Sequence, residues 1–199
     1  MPLTFERYVD AVLPVTAAAG RGLNVGCGHD VRPGFVNQDI SELPGVDVVC
    51  ELGVDKLPFE DGAFDVILAR DVLEHVDVVP ALRELHRVLA PGGRLVVSTV
   101  HFSSRNVWVD PTHRRAFSLR TFDMFVGGGN RGYYFDFSFS AVEHVKLQMI
   151  GNDRLASLLV WNRLAEPLVN SSRLLQDGYE ATFLARLFPG VNILAVLRR

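Results

Sequence analysis

Cysteine is nearly absent from this chain of 199 residues: there are two, Cys27 and Cys50. Two thiols make neither a disulfide framework nor a zinc-binding spacing. Both sit in or beside apolar strand-like runs, which predicts buried thiols in a reducing compartment. No apolar run approaches membrane-spanning length; Leu155–Trp161 is far too short. Met1–Arg7 has no basic start leading into an apolar core, so no secretory signal and a cytoplasmic location are expected. A strong charge of one sign is also missing. The net charge of -3 argues against binding nucleic acid over the whole surface. There is no Pro/Ser linker and no internal repeat, so residues 1–199 read as a single domain.

What is present is an ordinary globular composition, 48% hydrophobic and 22% charged. Residues 4–19 have amphipathic helical spacing, with Phe5, Tyr8, Val9 and Val12 on one face and Pro14 shortening it. Short apolar runs follow, each ending in a break: Gly22–Val25, Gly34–Asn37, Val46–Cys50, Phe64–Ala69 and Arg94–Val100. Most do not alternate strictly, as expected for strands covered on both faces of a parallel sheet. Residues 78–90 predict a helix with Val79, Leu82, Leu85, Val88 and Leu89 inward, Arg83, Glu84 and Arg87 outward, and a stop at Pro91-Gly92-Gly93. Residues 118–126 and 153–187 read as helical, 133–149 as strand material, and Val191–Leu197 as a last strand.

Two glycines spaced Gly-x-Gly, Gly26 and Gly28, end the first of these strands, in a turn tight enough for a ligand to approach the backbone. Asp39 ends the second strand and can accept hydrogen bonds from vicinal ribose hydroxyls. Only eleven residues lead from Gly28 to Asp39, and they include Pro33 and Gly34. A strand–helix–strand unit needs about thirty. The first crossover helix must therefore be largely missing, which leaves that edge of the sheet thin. Either the N-terminal helix or the 153–187 segment could cover it.

Asn24–Gly28, the stretch Leu57–Val76 and Leu89–Leu95 together resemble class I S-adenosylmethionine-dependent methyltransferases. The resemblance covers residues 20–101, and Val36–Ile40 is similar to a compact bacterial subset without the first crossover helix. It implies an α/β, Rossmann-like doubly wound sheet of about seven strands with an antiparallel last strand. The cofactor-binding half is then 20–101 and the acceptor-side half 102–199, behind an N-terminal helix at 1–19. It also implies S-adenosyl-L-methionine as cofactor. Gly26 and Gly28 would lie at its methionine part, Asp39 at the ribose, Glu51 and Leu52 by the adenine, and Arg70 next to the methionine tail; Asn24 and Cys27, in the same turn, count among the cofactor-binding residues. Three positions depart from the wider pattern: Asn24 and Glu51 stand where an acid and an aspartate are commoner, and Asp30 where a third glycine often sits.

The acceptor site should begin after the fifth strand, at His101–Ser118. Its Asp110-Pro111-Thr112-His113 is similar to a lid segment of the same subset. His113 is a candidate general base and His101 a second; Asp110 either assists His113 or pairs with it to hold the loop. Trp108, Arg114, Arg115 and Tyr179 are candidate acceptor contacts. From His101 to Arg131 there are five arginines against two aspartates, which suits an acceptor carrying phosphate or carboxylate as well as a solvated basic face. Glu74-His75 reads as a capping or packing pair at a helix start, and His86 as a surface residue. Asp110 and His113 lack a convincing third ligand, so no metal is expected. Gly127–Asn130 lacks the Lys-Ser/Thr of a phosphate loop and reads as a connector. The 153–187 segment is a helical cover, an acceptor lid or a homodimer surface; the sequence does not choose.

The expected activity is methyl transfer to an oxygen or nitrogen of a small molecule, such as a sugar, natural-product or envelope precursor. Two rivals remain. A nicotinamide-dependent oxidoreductase should show Gly-x-Gly-x-x-Gly, but Asp30 and Val31 follow Gly28. A non-catalytic cofactor-binding partner is disfavoured by the intact Gly26, Gly28 and Asp39.

Overall fold

A computed structural model describes residues 21–127, 134–149 and 160–199. The expected helix at 4–19, the glycines after Gly127 and the start of the 153–187 segment fall outside these. The described strands are β1 (Gly22–Val25), β2 (Phe35–Asp39), β3 (Val48–Val49), β4 (Phe64–Arg70), β5 (Leu89–Val100), β6 (Ala141–Gln148) and β7 (Asn192–Arg198). They form one seven-stranded sheet in the order β3-β2-β1-β4-β5-β7-β6. β1 to β5 pair in parallel, and β7 inserts antiparallel between β5 and β6.

The continuous apolar runs become the central strands. All four residues of β1 are buried, as are Ile67, Leu68 and Ala69 of β4 and Ile193 to Leu197 of β7. This is the burial of strands covered on both faces. Helix α1 (Val78–Val88) supplies part of the cover with Val78, Ala81, Leu82, Leu85 and Val88, one face of a 3.6-residue period. It ends three residues before Pro91. Leu89 is already extended and opens β5, so Pro91-Gly92-Gly93 lies within the strand. Glu84 and Arg87 do not face outward as expected. Arg87 binds Glu84 at 2.6 Å, Asp61 at 2.7 Å and the Phe59 carbonyl at 2.8 Å, and Glu84 accepts from the Leu57 amide at 2.7 Å. The pair clamps the loop that leads into β4.

No helix separates β1 from β2 or β2 from β3. Side chains hold the first connection instead. Asn24, buried in β1, donates to the Asp30 carbonyl at 2.8 Å and to Asn37 Oδ1 at 3.1 Å. Asn37 Oδ1 also accepts from the Arg32 amide at 2.8 Å, and Asn37 Nδ2 donates to the Arg32 carbonyl at 3.2 Å. Two buried asparagines thus satisfy the loop's backbone where a helix would satisfy its own.

The other edge strand, β6, is covered by helices α3 (Val160–Val169) and α4 (Arg173–Glu180). Asn170 exchanges two bonds of 2.7 Å with the Leu147 backbone, Gln176 donates to the Val145 carbonyl at 3.0 Å, and Glu166 accepts from the Met149 amide at 2.8 Å. These amides and carboxylate occupy backbone groups that an edge strand otherwise leaves open. The described part of the 153–187 segment therefore covers β6, at the end of the sheet opposite the thin β2–β3 edge. His86 is also no bare surface residue. Its ring packs on Phe137 and Phe139, and its Nε2 donates to the Ser138 carbonyl at 3.1 Å.

Candidate active site

The strand order reverses between β1 and β4, and ligands of open α/β sheets bind at the carboxyl ends of the strands beside such a switch. Gly26 and Gly28 sit there with φ of 57° and 50°. Their reasons differ. A Cβ on Gly26 would collide with the Val72 side chain, whereas a Cβ on Gly28 would point into open space. Gly26 is a packing glycine; Gly28 faces open space, a cradle that a side chain would begin to fill. The Gly28 amide donates to Asp39 Oδ2 at 2.8 Å, and Asp39 Oδ1 accepts from the Ser41 amide at 2.9 Å. Each oxygen of this buried carboxylate retains acceptor capacity.

Asn24 and Cys27 do not face that space. Asn24 braces the loop as described, and the Cys27 thiol is buried. Burial, with help from the Asp39 charge, pushes that thiol's pKa up. Glu51 is half-buried and Leu52 buried, in the turn after β3. Arg70, at the end of β4, reaches Asp30 at 3.4 Å and Asp71 at 3.8 Å, spanning from β4 to the glycine loop.

Beyond Arg70 opens a cleft of about 440 Å³ lined in part by Asp71, Glu74, His75, Asn106, Asp110 and His113. Asp71 is a non-glycine residue at φ 51°, a conformation that costs energy unless neighbours fix it. Ser98 Oγ and Asn192 Nδ2, each 2.8 Å from Asp71 Oδ1, do so. Glu74 is 0% exposed. Its Oε2 accepts from Thr99 Oγ1 at 2.8 Å and its Oε1 has no partner. Burial pushes its carboxyl up to about 7.

The loop that carries the acceptor-side candidates is tied to this turn by one backbone bond, from the Arg114 amide to the Glu74 carbonyl at 2.7 Å. That bond sets His113 edge-on against His75, with ring centroids 4.6 Å apart. His113 Nδ1 is buried without a hydrogen-bond partner, and its Nε2 lies 3.9 Å from Asp110 Oδ2. Thr112 Oγ1 donates to Asp110 Oδ1 at 2.6 Å and stands 2.8 Å from His75 Nδ1. The bond from Thr112 lowers the Asp110 pKa; burial and the His113 charge lower that of His75.

The structure thus gathers Asp110 and His113 with Glu74 and His75, which the sequence placed at a helix start. Those two lie instead in the turn before Asp77, the N-cap of α1. His101 and Tyr179 stand apart from the cleft. His101 is 0% exposed, held by Ser103 Oγ at 2.7 Å and Glu180 Oε1 at 3.0 Å. It does not line the cleft. Tyr179 is buried and donates to the Phe188 carbonyl at 2.8 Å. Trp108 is 81% exposed on the single turn α2 (Asn106–Val109), Arg114 and Arg115 are exposed, and none of the three lines the cleft. Of the basic stretch, Arg120 is engaged by Asp177 at 2.5 Å and Asp123 at 3.2 Å. Among the described residues, Glu74, His75 and His113 each offer a ligand atom within 4.8 Å of the others; Asp110, which the sequence paired with His113, is not in this group.

Residues 13–97 match a methyltransferase-domain family. A segment of 42 residues is 60% identical to demethylmenaquinone methyltransferase of Thermus thermophilus, covering 21% of this chain and 19% of that one. Matches to curated relatives span between 19% and 28% of those proteins. Among solved structures, an S-adenosylmethionine-dependent methyltransferase from Archaeoglobus fulgidus superposes with a TM-score of 0.61 at 15% identity, over 98% of this chain and 95% of that one. One from Mesorhizobium loti does so with a TM-score of 0.55 at 20% identity, over 98% of both. The fold is that of class I S-adenosylmethionine-dependent methyltransferases, and S-adenosyl-L-methionine is the cofactor to which fold and matched domain point. No described helix is long and apolar enough to cross a membrane.

Proposed function

We propose that this chain transfers a methyl group from S-adenosyl-L-methionine to an oxygen, or next a nitrogen, of a small molecule. The observation that carries this reading is the open space over Gly28, beside the Asp39 carboxylate, with a polar cleft lined by Arg70 at the end of the neighbouring strand β4. When bound, the cofactor supplies a sulfonium methyl that an acceptor lone pair attacks in line. The chain's own residues must do the rest. Asp39 accepts from the ribose hydroxyls, and the Gly28 backbone lets the ligand approach closely. Arg70, at the end of β4, would exchange its ion pair with Asp30 for the methionine carboxylate. Glu74, His75 and His113 form the polar end of the cleft, where the acceptor's proton is removed and its oxygen held.

The cleft suits an acceptor of modest size, such as a sugar, natural-product or envelope precursor. Trp108, Arg114 and Arg115, exposed neighbours in sequence of the cleft residues Val109 and His113, would offer an aromatic face and charge to an anionic one. The test is release of adenosylhomocysteine over a panel of such acceptors, with His113→Ala alongside. Turnover should fall at least tenfold in the variant while adenosylhomocysteine affinity stays unchanged. Full turnover in the variant removes His113 from the reaction. Cofactor binding with no transfer to any acceptor would favour a non-catalytic partner protein.

A further inference from the structure

Three side chains with bare lone pairs meet at the inner end of the cleft. Glu74 is wholly buried with one carboxylate oxygen, Oε1, unpaired. A buried carboxylate normally fills its acceptors, and an unfilled one demands an explanation, an absent ion among them. The Nδ1 of His113 is likewise buried and unpaired. The third lone pair follows from proton bookkeeping. Thr112 has one hydroxyl hydrogen, and it goes to Asp110 Oδ1. His75 Nδ1, 2.8 Å from the same hydroxyl, must then be the donor of that contact. Its Nε2 is left without a hydrogen, as a neutral imidazole requires.

We propose that Glu74, His75 and His113 form a binding site for a divalent first-row transition-metal ion, with zinc as the reference ion. Two imidazoles and a carboxylate suit zinc, manganese or iron better than magnesium or calcium, which favour all-oxygen sets. Three protein ligands with a free position is the arrangement of catalytic rather than structural zinc. The outer contacts are those that orient metal ligands: Thr99 fixes Glu74, and Asp110 fixes His75 through Thr112. Ligand atoms about 2.1 Å from one ion stand about 3.4 Å apart in a tetrahedral set. The present spread of up to 4.8 Å therefore closes by small rotations of the rings.

The free position faces the cleft, because all three residues line it. Resting on the methyltransferase reading, but with His113 as a ligand rather than the base, an acceptor hydroxyl would bind there and lose its proton to solvent. The metal holds the resulting alkoxide. An oxygen lone pair then forms the new C–O bond, and the S–C bonding pair stays on sulfur as the neutral thioether.

The experiment uses the full chain without an affinity tag, stripped by a chelator. Zn²⁺ is titrated by calorimetry, Co²⁺ by its visible absorption, and adenosylhomocysteine in parallel. One Zn²⁺ per chain is expected, with Co²⁺ bands of a nitrogen/oxygen site. Affinity should fall at least tenfold in His113→Asn and in Glu74→Gln. Circular dichroism melting confirms folding, and His75→Asn serves if Glu74→Gln does not fold. No binding in the parent, or equal binding in the folded variants, overturns the proposal. Adenosylhomocysteine binding without metal binding sinks the metal site alone. Metal binding without adenosylhomocysteine binding supports the site and contradicts the methyltransferase reading.

Discussion

The amide of Gly28 and the carboxylate of Asp39 meet at 2.8 Å across the ends of β1 and β2. This bond does the work of the missing crossover helix at one point: it fixes the glycine turn to the neighbouring strand. The same carboxylate is the acceptor proposed for the ribose, so one residue shapes the turn and reads the ligand. Asp39→Ala should weaken adenosylhomocysteine binding by roughly 1.5–3 kcal/mol, about 10- to 100-fold. Asp39→Asn should do little better, because its amide would point a donor at either Gly28 or Ser41. Isothermal titration of both variants checks this, and unchanged affinity removes Asp39 from the site.

The two turn glycines should separate in their effects. Gly26→Ala meets Val72 and a positive φ together, and its melting temperature should fall steeply. Gly28→Ala carries only the strain of its φ, about 1–2 kcal/mol, since its Cβ enters open space. Its main loss should be in adenosylhomocysteine affinity. A Gly28→Ala protein that binds as well as the parent contradicts the cradle.

Stability should fall in acid through Glu180. Burial alone would raise its pKa, but hydrogen bonds from His101, the Leu119 amide and Ser118 Oγ outweigh that and hold it below the ordinary carboxylate value. A lowered folded pKa gives stability that is complete above the unfolded pKa and is lost as pH falls through the folded one. Glu180→Gln should flatten the acid limb of a denaturation-versus-pH curve. At neutral pH, Glu180→Ala should cost about 3 kcal/mol by stranding three buried donors. An unchanged acid limb in Glu180→Gln would show that the carboxylate is not what acid titrates.

The strands and α1 were legible because apolar runs and 3.6-residue spacing are local signals. The glycine turn, Asp39 and the missing first helix were legible for the same reason, through spacing and loop length. The acceptor end was not. Glu74 and His75 join His113 only because the Arg114 amide finds the Glu74 carbonyl, a bond between segments on either side of β5. His101 looked like a base because its partner Glu180 is remote in sequence, and burial cannot be read from a lone histidine. Asn24 looked like a ligand contact because nothing local shows that it faces Asn37.

That asparagine pair predicts a local weakness. Asn37→Ala removes one of the two partners of Asn24 Nδ2 and the acceptor of the Arg32 amide, a loss of about 2 kcal/mol. Hydrogen exchange should rise over 28–35 before it rises in β4 or β5. Uniform exchange across the sheet would mean that the loop is held by something else.

The most direct test of the central claim is calorimetric titration of the full chain with adenosylhomocysteine and, separately, with NAD. One adenosylhomocysteine site per chain, weakened at least tenfold by Asp39→Ala and silent to NAD, is the predicted result. Heat with NAD but none with adenosylhomocysteine would contradict it.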